Sequence, residues 1–188
     1  MKKIGVIVLM LTIVNVFAQD ESVKPQKLTN QKFEWVKFKI PQDFVEMEDE
    51  AFFRTTASAV KPEIAFRDPS AQVTFTINNS INRWGNNLVM LQQFQRANIL
   101  AMHKKVNYTR DEVVEIKKRK YLIMIFDSKV DDKTTPDGKK RVKKFYTAMV
   151  YTVKEGHLIT IVLRLPHWMK EEGWAEATED IVNSIRVK

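Results

Sequence analysis

Six consecutive residues, Tyr121-Leu-Ile-Met-Ile-Phe126, are apolar without a polar interruption. A strand with one wet face alternates, whereas a strand apolar at every position needs cover on both faces of its sheet. This run therefore predicts a layered sandwich with a sheet in the middle. Its neighbours read as hairpins. Residues 112–116 and 121–130 are expected to pair about Lys117-Lys118-Arg119-Lys120, and residues 141–153 with 157–165 about Lys154-Glu155-Gly156.

The two covers are sought in helical periodicity. Asn86 or Asn87 can cap a helix running to about Lys104. Its apolar stripe is predicted as Leu88, Met90, Leu91, Phe94, Ala97, Ala101 and Met102, docked on the sheet. Gln92, Gln93, Arg96 and His103 fall opposite, while Ile99 and Leu100 fit neither set. Near the C-terminus Trp174, Ala177, Thr178, Ile181 and Ile185 repeat at i, i+3, i+4, i+7 and i+11, with Gly173 at the start. Upstream, residues 33–40 alternate, with Val36, Phe38 and Ile40 on one face, and stop at Pro41. Shorter strands are expected at 52–55, 63–67 and 72–78, the last with Val73, Phe75 and Ile77 on one side.

The expected class is α+β: a mostly antiparallel sheet sandwiched between helices. This order resembles the PsbP/Mog1-like α/β/α sandwiches, small exported bacterial domains among them. The pieces that carry the resemblance are Phe33-Glu-Trp-Val-Lys-Phe-Lys-Ile-Pro41, the central helix and the closing Ile181-Val-Asn-Ser-Ile185, spanning roughly residues 31–187. The family includes photosystem-associated, GTPase-binding and envelope proteins, so the resemblance implies accessory binding more than chemistry. None of its functional residues has a matching motif to carry over.

The N-terminus sets the expected compartment. Lys2 and Lys3 precede a stretch to Val16 that is apolar except for Gly5, Thr12 and Asn15, and Val16 and Ala18 are small residues at −3 and −1 of a cleavage site. Residues 1–18 are read as a signal peptide cut after Ala18, residues 19–31 as a flexible leader, and 32–188 as one domain. At about 14 residues the apolar stretch is short of the roughly 20 that span a bilayer. The expected location is periplasmic or secreted, with no transmembrane span in the mature form. Without Lys2 and Lys3 the chain keeps 29 basic and 23 acidic side chains, a net +6. It has no cysteine, which excludes disulfides, thiolate metal sites and cysteine nucleophiles.

Residue patterns for catalysis are lacking. His157 and His167 are separated by about 30 Å of extended chain and cannot share a metal unless the strand ends early and the chain doubles back. No HExxH, Gly-x-Ser-x-Gly or phosphate-loop pattern occurs, and the five glycines are isolated. The acidic clusters Glu46, Glu48, Asp49, Glu50 and Asp131-Asp132 read as solvated loops. No catalytic residue, metal site or cofactor is expected.

One end of the sheet is expected to bind anions. Closing the second hairpin at Gly156 brings Lys143, Lys144 and Arg141 beside Arg164 and His167, with Lys139, Lys140 and Trp168 nearby. Such a cationic rim suits a lipid headgroup, a polysaccharide or an acidic protein face. The leading expectation is an exported, non-enzymatic binding protein of the cell envelope, partnered by another envelope or secreted protein. An inhibitor or immunity-type protein and a hydrolase with a dispersed site are the alternatives. Nucleic acid is disfavoured, because the basic residues are not interleaved with aromatics on one strand face.

Overall fold

A computed structural model describes residues 24–48, 62–132 and 141–188. In chain order the elements are β1 (Leu28–Lys32), β2 (Val36–Pro41), β3 (Val45–Glu46), β4 (Ile64–Arg67), β5 (Thr74–Ile81), α1 (Leu88–Met102), β6 (Lys105–Ile116), β7 (Arg119–Asp132), β8 (Arg141–Lys154), β9 (His157–Pro166), a 3-10 helix (His167–Glu172), α2 (Trp174–Ser184) and β10 (Arg186–Val187). The expected signal peptide, the strand expected at 52–55 and most of the loop expected at 131–140 lie outside the described residues.

Seven strands form one antiparallel sheet in the order β3-β4-β5-β9-β8-β7-β6, and β1-β2-β10 form a second, smaller one. The apolar run sits in β7, and no residue from 121 to 126 exceeds 2% exposure. Alternate residues of that run enter two different cores. Tyr121, Ile123 and Ile125 meet Val36, Phe38 and Ile40 of the small sheet together with Trp174, Ile181 and Val182 of α2. Leu122, Met124 and Phe126 meet Leu88, Leu91 and Ile99 of α1. The sandwich expected from the sequence is the one observed.

A bulge near the start of β6 governs how the helices attach. Pairing steps from Tyr108 opposite Phe126 to Arg110 opposite Ile125, which leaves Thr109 as the extra residue. Arg110 then faces α2, where its Nη1 donates to Glu179 Oε2 at 2.9 Å and to Asn183 Oδ1 at 3.1 Å. The next residue, Asp111, faces α1 and accepts from Arg96 Nε and, at 2.6 Å, from Gln92 Nε2.

Three expectations are corrected. The leader is not structureless to residue 31, because Leu28–Lys32 pair with β2 as an edge strand. Its polar composition hid it, and an edge strand can be polar since only one rim is bonded. The first expected strand begins at Val36 instead of Phe33: residues 33–35 form the turn, closed by Phe33 N–H donating to Val36 O at 2.9 Å. The third correction concerns α1. Asn87 caps it as expected, its side chain accepting from Met90 N–H at 3.0 Å. The buried face, however, is Leu88, Leu91 and Ile99, whereas Met90 is 54%, Phe94 45% and Leu100 58% exposed. Both sides of this helix are apolar, so periodicity alone could not choose between them.

Two measurements check this account. Ile99→Ala should cost about 3 kcal/mol in urea unfolding, and Leu100→Ala less than about 0.5 kcal/mol. The β6–β7 turn holds Lys117 and Lys118 at φ 51° and 67°, a left-handed pair that Asn-Gly adopts with less strain. Replacing Lys117-Lys118 with Asn-Gly should stabilise the protein by about 1 kcal/mol in the same measurement.

Candidate functional site

The anticipated cationic rim is divided by the sheet's pleat. Lys139 and Lys140 lie outside the described residues. Arg141 and Lys143 stand opposite Asp132 and Val130 on the α1 side of the sheet. Arg164 lies on that side too, its guanidinium 3.7 Å from the centroid of the Phe145 ring. Lys144 and His167 stand on the α2 side, and Trp168 is 51% exposed in the 3-10 helix. The β7–β8 and β8–β9 pairings put Arg141, Lys143, Lys144 and Arg164 towards one end of the sheet, yet neighbours in sequence fall on opposite faces.

On the α2 side the register assembles a row that the rim did not contain. Lys105 of β6 stands opposite Lys129 of β7, and Lys129 opposite Lys144 of β8. One step inward, Asn107, Asp127 and Tyr146 form the next row. Asp127 is engaged there: Lys170 Nζ donates to its Oδ2 at 2.8 Å, and His167 Nε2 stands 3.4 Å from its Oδ1. The Lys170 ammonium also lies 4.9 Å from the centre of the Tyr146 ring. Burial, with the charges of Glu179 and Asp127, pushes the Tyr146 hydroxyl up to about 12. It is a neutral hydroxyl, fit to pack and not to act as a base.

The other titratable groups are scattered. His157 is at the turn end of β9 and His167 beyond its far end. Glu46 is exposed in β3, Asp49 and Glu50 lie outside the described residues, and Asp131 pairs with Lys104 at 2.6 Å. Among the described residues no group of three or more His, Asp or Glu could hold a metal ion. Two depressions among the described residues measure about 610 Å³, between Asn86 and the Lys117-Lys118 turn, and about 640 Å³, between Lys37 and Asp180. Neither gathers paired carboxylates or a histidine.

His103 was placed on the polar face of α1, and the structure puts it elsewhere. It is the residue that ends the helix, half-buried, with its ring edge-on to Phe126 at 6.1 Å. Its backbone N–H closes the last turn on Ile99 O at 3.0 Å, which carries the side chain inward beside the sheet.

The outward face of α1 is the other distinctive surface. Met90, Phe94, Ala97, Leu100 and Ala101 are all exposed along it, and Trp84 packs on Phe94 at 4.6 Å between ring centres. The only charged residue in the helix is Arg96, which is paired with Asp111. Among the described residues no helix is long and apolar enough to cross a membrane.

The architecture is that of the PsbP/Mog1-like α/β/α sandwiches. Cyanobacterial PsbP from Synechocystis superposes with a TM-score of 0.60 at 13% identity, over 88% of this chain and 95% of that one. The Ran-binding protein Mog1p of Saccharomyces cerevisiae gives 0.53 at 8% identity, over 86% and 96%. LpqN of Mycobacterium tuberculosis, described as involved in cell envelope biogenesis, gives 0.52 at 9% identity, over 86% and 91%. At these identities the likeness is one of fold. No protein-family model matches the chain, and no curated protein matches it in sequence.

His103 yields a pH test. Burial first, and then the positive charge of Arg164, hold its proton affinity below the ordinary imidazole value of 6.5. Once the pH falls through that value the unfolded chain binds more protons than the folded one, so stability falls with pH. Between about pH 7.5 and 5.5 the urea midpoint of the wild-type protein should therefore drop further than that of His103→Gln. Equal drops would show that His103 is not the group responsible.

Proposed function

We propose that this chain is an exported, non-enzymatic accessory protein of the cell envelope that works by holding another protein against the outward face of α1. The observation that carries this reading is the apolar stripe Met90, Phe94, Ala97, Leu100 and Ala101 turned towards solvent. Exposed apolar patches mark contact surfaces.

The chemistry of the stripe selects the partner. It offers no unpaired charge, so an anionic surface gains nothing there. Phe94 is 45% exposed with Trp84 packed against it, and the small Ala97 and Ala101 follow about one and two turns on. A neutral partner with an apolar face fits this surface. Export rests on the apolar, lysine-led character of residues 1–18. The PsbP/Mog1-like fold is compatible with such a role, since one solved relative in fold is a Ran-binding protein and another belongs to envelope biogenesis.

The test compares capture from envelope extracts by the purified wild-type protein, Phe94→Glu and Ala97→Glu, each verified as folded by its thermal midpoint. Each substitution should weaken capture of the principal partner by about tenfold or more. Undiminished capture by both variants would remove α1 from the interface. For export, intact mass of the protein from the envelope fraction should show a chain starting at Gln19. Retention of Met1 in a cytosolic pool would overturn that part.

A further inference from the structure

We infer that the lysine row across β6, β7 and β8 is a binding site for a phosphate group, separate from α1 and on the other face of the sheet. Lys105, Lys129 and Lys144 are direct cross-strand neighbours. Adjacent strands are about 4.8 Å apart, so three ammonium stems rise from a line about 10 Å long. Like charges set directly opposite each other destabilise a sheet. Three in a row is an arrangement that an anion would relieve.

The local carboxylates do not relieve it. Asp127 and Asp131 lie two residues either side of Lys129 on the same face, and each is engaged by a different cation. Lys170 and His167 hold Asp127, and Lys104 holds Asp131. Among the described residues none of the three row lysines forms an ion pair. Counting Lys104 and Lys170 against the two aspartates, the end of this face keeps a charge of three positive units without His167.

The row also borders a recess of about 110 Å³, whose wall is completed by Asn107, Ser128, His167 and Asp127, the last neutralised by Lys170. That volume admits a small tetrahedral oxyanion. A phosphate group, free or esterified, offers anionic oxygens to the ammonium groups of the row, with the Asn107 amide to orient it. The phosphate can be free or carried by an anionic lipid headgroup. Trp168, half-exposed and next to His167 in the chain, suits an edge that meets a bilayer surface.

The experiment has two arms, both at fixed ionic strength. The ¹⁵N-labelled protein is titrated with inorganic phosphate against chloride, and co-sedimentation is measured with phosphatidylglycerol vesicles against phosphatidylcholine vesicles. Saturable shifts confined to Lys105, Asn107, Lys129, Lys144 and His167 are expected with phosphate if the free ion is the ligand. Binding to the anionic vesicles alone assigns the phosphate to a headgroup. In whichever arm binds, Lys105→Gln/Lys129→Gln/Lys144→Gln should weaken affinity at least about tenfold. Lys117→Gln/Lys118→Gln/Lys120→Gln, which removes the same charge at the far end of β7, should leave it within about twofold of wild type. Phe94→Glu should also leave it unchanged, which separates this site from the α1 reading. Equal losses in the two triple variants, or no binding in either arm, would overturn the inference.

Discussion

The demand that β7 be dry on both faces organises the whole molecule. One face is met by α1, the other by α2 and the small sheet, and neither cover alone would suffice. The covers are fastened by consecutive residues of β6. Arg110 reaches α2 and Asp111 reaches α1 because the bulge at Thr109 resets which side chains point which way. A strand's alternation thus does two jobs: it sorts apolar residues into two cores and directs polar ones to two helices.

The same alternation decides which charges can cooperate. Lys143 and Lys144 are adjacent in the chain but serve opposite surfaces. Lys105 and Lys144 are 39 positions apart by their numbering, yet they flank a common lysine on one surface. The protein therefore presents two chemically unlike regions on opposite faces of one sheet: a neutral apolar ridge on α1 and a cationic recess beside the 3-10 helix. Neither gathers the groups that bond-making chemistry requires, and both are suited to recognition.

The layered architecture was readable because it follows from local rules. An unbroken apolar run, a capping Asn87 and the spacing of Trp174, Ala177, Thr178 and Ile181 each have one structural solution. What escaped depends on register or on choosing between equal faces. The buried side of α1 was misassigned because Met90 and Phe94 are as apolar as Leu91 and Ile99. The lysine row was missed because Lys105 precedes the first expected hairpin strand, and because Thr109 shifts the pairing by one. Counting outward from the two-residue turn at Lys117 and Lys118 places Lys129 only after that shift is known. Edge strand β1 escaped because polar residues that need no core leave no periodic trace.

The Thr109 bulge has one more consequence. At 12 residues β6 is a long outer strand, and among the described residues no strand pairs with its outer rim of amide and carbonyl groups, onto which another chain could zip. An extra residue breaks the even spacing of that rim and twists it, so a flat incoming strand finds matching donors and acceptors only over a short stretch. At the opposite border, β3 contributes just two residues and offers little to grip. Among the described residues, both borders of this sheet are thus poor templates for an added strand.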